Sequence, residues 1–199
     1  MCLINAEKVA LIDDVMCFKL VLIEKDKESG KFVIHSPYNI GYTWELNKLH
    51  ETVPDESDYP EKQDLLGPTL VDIGPGFFHT YMTQRDAARD ANMSWCGDDC
   101  DFDDYNFVVA ILVCTIPKRT TAYSGYVYST ETEGWASTAL IPEKIIYLPK
   151  PSQLKNRHKV FSIFKYIKAY FKYWEVKKHF GLNKKNCAFT IDKLKRLYD

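Results

Sequence analysis

Along most of this chain the apolar positions fall in short, dense runs separated by polar stretches bearing glycine and proline, and near its end they shift to a spacing of three and four. The first rhythm is that of strands, the second that of a helix. Val15 to Glu24 (VMCFKLVLIE) is rich in β-branched and apolar residues, and the charged stretch Lys25 to Lys31 separates it from Phe32 to Ser36, which predicts a β-hairpin with a long connection. Gly41 to Leu46 has the form of a further short strand. His50 to Gln63, acidic and broken by Pro54 and Pro60, reads as an exposed loop. Thr69 to Ile73 predicts a strand, Gly74, Pro75 and Gly76 a turn, and Phe77 to Tyr81 a short aromatic strand. Thr83 followed by Asp86 forms a capping box before an alanine-rich helix over Gln84 to Met93. Phe107 to Thr115 (FVVAILVCT) is apolar on both alternating faces, the pattern of a central strand covered on both sides. Thr120 to Ser129, Trp135 to Ile141 and Lys144 to Leu148 predict further strands.

Pro149 and Pro151 mark a boundary. Beyond them Val160, Ile163, Phe164, Ile167, Phe171 and Trp174 line one face of a helix running from about Gln153 to Phe180, with Gly181 as its C-terminal cap. Lys165, Lys168 and Lys172 form a stripe beside that face, and Tyr166 and Tyr173 flank its other edge. Phe189 and Leu194 around Thr190 form a hydrophobic staple that opens a last short helix. The expected class is therefore α+β: a mostly antiparallel sheet with one or two packed helices over residues 1–150, followed by a C-terminal basic amphipathic tail, 151–199, folded as a helical hairpin.

Composition permits this. At 199 residues and 46% hydrophobic, the chain can fill one sizeable core and carry an appendage. Charge sharpens the boundary, for residues 1–149 hold 24 acidic against 12 basic side chains and residues 150–199 hold 14 basic against 3 acidic. Such a split predicts either a basic tail for an acidic partner or two parts that attract each other. No basic, apolar leader opens the sequence and no run approaches the roughly 20 apolar residues that span a bilayer, so a soluble cytoplasmic protein is expected. Six scattered cysteines fit reduced thiols.

Two readings of the basic helix stand side by side. Its apolar face docks on the acidic domain, or it engages a partner through Lys165, Tyr166, Lys168, Lys172 and Tyr173: a protein first, then a nucleic acid, then an anionic membrane surface. The stretch Gly74 to Arg85 (GPGFFHTYMTQR) is the candidate small-molecule site, with His79, Thr80, Tyr81 and Arg85 as ligand-binding residues. Its glycines permit close backbone approach, a histidine moves protons near neutral pH, and the helix N-terminus that follows favours an anion. Cys96 and Cys100 beside His79 lack the fourth ligand of a zinc site, and the acidic run Asp98 to Asp104 lacks the glycine turn and closing glutamate of a calcium loop. No nucleophile elbow, phosphate-binding loop or His-Glu-x-x-His is present. No catalytic residue, metal or cofactor is therefore expected.

The succession Cys17-Phe18-Lys19-Leu20-Val21, Ser36-Pro37-Tyr38, Gly76-Phe77-Phe78-His79-Thr80-Tyr81 with Ala87 in the next helix, then Val108 to Pro117 and Gly125, resembles a loose group of small uncharacterised proteins encoded by bacteriophages and prophages. That group shares a CYKV strand, a Ser-Pro turn and a Gly-Phe-His-aromatic motif before a helix, where this chain has Gly-Phe-Phe-His. The resemblance implies a phage accessory protein made in a bacterial cytoplasm, and it supplies no activity; the segregated charge without a catalytic signature adds the expectation that it is non-enzymatic and binds a host or virion partner through its surface and basic tail. His79, Tyr81 and a late acid, Glu131 or Glu133, are also similar to ADP-ribosyltransferase-like folds, which implies the alternative of a nucleotide-binding protein or enzyme; Lys19 is then the only basic residue of the early strand.

Overall fold

Antiparallel strands dominate the computed structural model, which describes residues 3–37, 41–55, 58, 71–74, 76–93, 107–127, 132–148 and 163–182. In chain order they are β1 (Leu3–Ala10), β2 (Val15–Lys25), β3 (Phe32–His35), β4 (Thr43–Trp44), β5 (His50–Glu51), β6 (Val71–Ile73), β7 (Phe78–Tyr81), then helix α1 (Gln84–Met93), β8 (Phe107–Ile116), β9 (Thr121–Val127), β10 (Thr132–Ser137), β11 (Ala139–Tyr147) and helix α2 (Ile163–His179). Eleven strands against two helices among the described residues correct the expected α+β class: the protein is mainly β, and mostly antiparallel. Runs such as Cys17 to Ile23 and Val108 to Cys114 are buried throughout, so both of their faces are covered. The expected helical hairpin lies largely outside the described residues, which lack 149–162 and 183–199 and hold only α2 within the span of its first helix.

The chain divides into two compact units, each assembled from three segments. Unit 1 comprises Met1–Lys19, Glu45–Ala87 and Val113–Lys144; unit 2 comprises Leu20–Trp44, Ala88–Leu112 and Ile145–Asp199. In unit 1 the strands follow the order β6, β1, β9, β10, β7 and the start of β2. The registers Leu3↔Ile73, Glu7↔Ser124, Gly134↔Gly125, Ala136↔His79 and Phe18↔Tyr81 fix that order, and β5 pairs the start of β11 at Leu140↔His50. Its core gathers Leu3, Ile73, Tyr81, Ile116, Val127 and Leu140.

Strand β1 is absent from the periodicity reading, and the reason is local. Asn5 takes a positive φ of 53°, and both ladders of β1 shift register beside it, so a bulge breaks the alternation and leaves Leu3 and Ala6, three apart, facing the same core. Likewise the two strands read from Trp135 to Leu148 part at Thr138, placing Pro142 inside β11.

In unit 2, β2 and β3 form the predicted hairpin, paired at Ile23↔Ile34. Its turn is closed by Gly30 N–H donating to Asp26 O at 2.9 Å and Ser29 N–H to Asp26 Oδ1 at 2.7 Å. Strand β4 extends the hairpin at Ile34↔Trp44. Leu20 to Ile23, Ile34, Trp44, Val108 to Leu112, Tyr173 and Val176 are buried in this unit.

Candidate functional site

His79 sits on β7, all four residues of which are buried. Its Nε2 lies 2.8 Å from the Gly74 carbonyl oxygen, which can only accept, so Nε2 carries the hydrogen and Nδ1 is bare and makes no hydrogen bond. Charging the ring would place a second N–H in the interior with no acceptor. Burial, reinforced by the nearby Lys19 ammonium, accordingly pushes its pKa down to about 4, although the bond to Gly74 pulls the other way. At neutral pH His79 is an uncharged strut between β7 and the glycine turn.

Lys19 enters the same interior from β2, and its Nζ donates to the His79 carbonyl at 2.8 Å. Burial lowers its pKa to about 8. Cys17 and Cys114 are buried free thiols; burial pushes Cys17 up to about 12 and holds Cys114 well above its ordinary value. The nucleophile of cysteine chemistry is the thiolate, and neither residue forms one here at physiological pH. Thr115 Oγ1 donates to Glu143 Oε1 at 2.5 Å and completes a polar cluster that strands β2, β7, β8 and β11 hold inside unit 1.

The close approach that Gly74 and Gly76 allow is taken by the protein's own Asp58. Gly76 N–H donates to Asp58 Oδ1 at 3.1 Å, Gly74 N–H to Asp58 O at 3.2 Å and Asp55 N–H to Asp58 Oδ2 at 3.0 Å. A Cβ on either glycine would collide with Asp58. The turn therefore holds an anion, but an internal one. The N-terminus of α1 is closed in a similar way: Thr83 Oγ1 accepts from Asp86 N–H at 3.1 Å, the N-cap bond of the predicted box, while Asp86 Oδ2 accepts from the Thr83 hydroxyl at 2.5 Å rather than from its backbone N–H. Of the four ligand-binding candidates, His79, Thr80 and Tyr81 are thus buried on β7, and Arg85 is half-buried on α1. Glu133 lies exposed on β10, away from the buried ring of His79, and Glu131 is outside the described residues. So are Cys96, Cys100 and the acidic run.

Sequence reasoning passed over Asp58 and the part played by Lys19. For Lys19 a signal existed, since a lone cation inside VMCFKLVLI must be buried against an acceptor. For Asp58, in a polar loop, there was none.

Helix α2 presents the second candidate surface. It ends as predicted at Gly181, whose φ of +61° lets Gly181 N–H reach Lys178 O at 3.2 Å and Leu182 N–H reach Lys177 O at 2.9 Å. Its orientation differs from the periodicity reading. Tyr173 and Val176 are 5% and 1% exposed, whereas Ile167, Phe171 and Trp174 are 44%, 68% and 58% exposed. The inward side packs on the hairpin: the Phe32 ring lies 4.6 Å from the His179 ring, and Lys25 Nζ lies 3.5 Å from Glu175 Oε1. Lys168 is exposed, Lys172 turns towards the hairpin, and Lys177 Nζ stands 4.9 Å above the Trp174 ring. Lys165 and Tyr166 belong to α2, but their side chains are outside those described.

No helix among the described residues is long and apolar enough to cross a membrane, and none of their His, Cys, Asp and Glu side chains group as a metal site. No protein-family model, no curated protein and no solved structure matches the chain.

Proposed function

We propose that this is a non-enzymatic binding protein whose α2 helix docks an acidic, apolar-bearing segment of another protein. The observation that carries the reading is the exposed stripe Ile167, Phe171 and Trp174, spaced i, i+4 and i+7 on one helix face and bordered by Lys168, Lys177 and Lys178. Large rings left in water on a folded helix are a marker of an interaction surface. The surrounding lysines select acidic partners, and helix-in-groove recognition uses this anchor spacing. In the setting that the resemblance to phage-encoded proteins implies, the partner is a host or virion protein. The rival reading, a nucleotide-binding enzyme using the His79 segment, has less support because His79 is buried and neutral and the glycine turn is already filled by Asp58.

The test places a photo-crosslinking benzoylphenylalanine at Phe171 in the full chain, expressed in a bacterial cell, and identifies the joined peptides by mass spectrometry. Adducts rich in Asp and Glu are expected. They should be lost with Trp174→Ser and weakened by salt, and the captured segment, synthesised as a peptide, should bind the purified protein. Adducts to a second copy of this chain, to nucleic acid or to lipid would overturn the reading, as would capture indifferent to Trp174→Ser.

A further inference from the structure

Strand β5 is a sheet edge: it pairs β11 at Leu140↔His50 and Ala139↔Glu51, and no strand among the described residues lies on its other side. The pairing continues one residue further, where Thr52 N–H donates to Thr138 O at 2.9 Å. Backbone groups alternate sides along an antiparallel ladder, so His50 and Thr52 turn theirs to β11 while Leu49, Glu51 and Val53 each turn an N–H and a C=O away from it. None of these outward groups makes a hydrogen bond among the described residues. The side chains of the same three residues stand in water: Leu49 is 47% and Val53 93% exposed, and Glu51 between them is exposed and makes no ion pair among the described residues. The other face of the strand is tied inward, with Thr52 Oγ1 donating to Gly76 O at 3.0 Å and Pro54 buried. Charged side chains and prolines are the usual guards of such an edge. Here Lys48 is folded back onto Glu45 at 2.7 Å, and Pro54 falls after the last outward donor, so the window from Leu49 to Val53 stays open.

From this arrangement we infer that the β5 edge takes up an extended segment of another protein as an added antiparallel strand, with a basic residue opposite Glu51 and apolar residues opposite Leu49 and Val53. Strand addition of this kind draws affinity from main-chain hydrogen bonds and specificity from alternate side chains, and the edge offers both. Glu51 sets the charge of the partner, because opposite charges facing each other across a ladder stabilise it and like charges weaken it. A second copy of this chain is the poorer occupant for the same reason. The self-pairing that matches Leu49 with Val53 sets Glu51 against Glu51, and a shift of one step either way sets Glu51 against an apolar residue. The edge belongs to unit 1 and does not rest on the exposed stripe of α2.

The experiment titrates the isotope-labelled full-length protein with two end-blocked strand peptides, TVTKTVT and TVTETVT, following amide signals and hydrogen exchange by NMR. The lysine peptide should shift Leu49, Glu51 and Val53, slow the exchange of their amides and bind at least about threefold more tightly than the glutamate peptide. Glu51→Lys should reverse that preference. N-methylation of the peptide's lysine and valine amides, which face the edge, should abolish binding, and Trp174→Ser should leave it unchanged while abolishing capture at α2. Absence of binding at millimolar peptide, equal affinity for the two peptides, binding that survives the methylation, or shifts centred away from β5 would each overturn the inference. So would slow exchange of those three amides in the protein alone, or pairing of the edge with a second copy.

Discussion

At the scale of single residues, His79 and Lys19 tie stability to pH in ways that can be separated. Unfolded, His79 takes a proton near 6.5; folded, it resists until about 4, so the stability present above pH 6.5 is lost as pH falls between those values, by roughly 3 kcal/mol in all. His79→Gln, whose amide can still donate to Gly74, should flatten that dependence relative to the parent in urea unfolding measured from pH 7 to 4. Lys19 acts at the other end: folded it sheds its proton at about 8, unfolded at 10.5, so the cost of its buried charge stands in full below pH 8 and stability rises between pH 8 and 10.5. Lys19→Met should remove that rise. Gly76 is tied to Asp58, and Gly76→Ala should cost about 1–3 kcal/mol by overpacking, with most of the loss recovered in an Asp58→Ala background, a coupling that a double-mutant cycle measures. Both glycines were legible as sites of close approach. What approaches them was not, because Asp58 lies 16 residues before Gly74 in a stretch without periodicity.

At the scale of elements, hydrophobic rhythm located β2, β3, β7, α1 and β8, where burial alternates or is continuous and the ends carry caps or turns. Thr83→Ala should lower stability by about 1 kcal/mol through loss of the α1 cap, read from the thermal midpoint. The same rhythm failed for β1, whose bulge at Asn5 breaks the period of two. For α2 it found the helix but not its inward side. Apolar or aromatic side chains occur almost all round that helix, from Ile167 through Ala169, Tyr170, Phe171, Tyr173 and Trp174 to Val176, so sequence spacing admits more than one docking face. The hairpin decides, offering Phe32 to His179 and Phe180 and Lys25 to Glu175. Val176→Ala should therefore destabilise by about 1–3 kcal/mol, while Phe171→Ser and Trp174→Ser stay within about 0.5 kcal/mol of the parent in chemical denaturation. The reverse order would restore the face that periodicity alone selects.

At the scale of the whole molecule, the charge break near residue 150 is a feature of composition that the fold crosses, since unit 2 joins Ile145–Asp199 to Leu20–Trp44 and Ala88–Leu112. Truncation after Leu148 removes Tyr173, Val176 and Leu182 from the unit 2 interior, and at about 1.5 kcal/mol or more for each it should cost at least roughly 4 kcal/mol. A sharp fall in thermal midpoint or aggregation of the truncated chain is expected; an unchanged midpoint would show that α2 contributes no core. Local sequence determined the places of β2, β3, β7, α1 and β8, which glycines lie at tight approaches, and that the last 50 residues are basic, because these depend on neighbours within one turn or one pleat. Only the tertiary structure decided the mainly-β class, the neutral state of His79, the anion seated in the glycine turn and the face that α2 shows to water. Each of these depends on what a distant segment brings within a few ångströms, and neither periodicity nor composition carries that information.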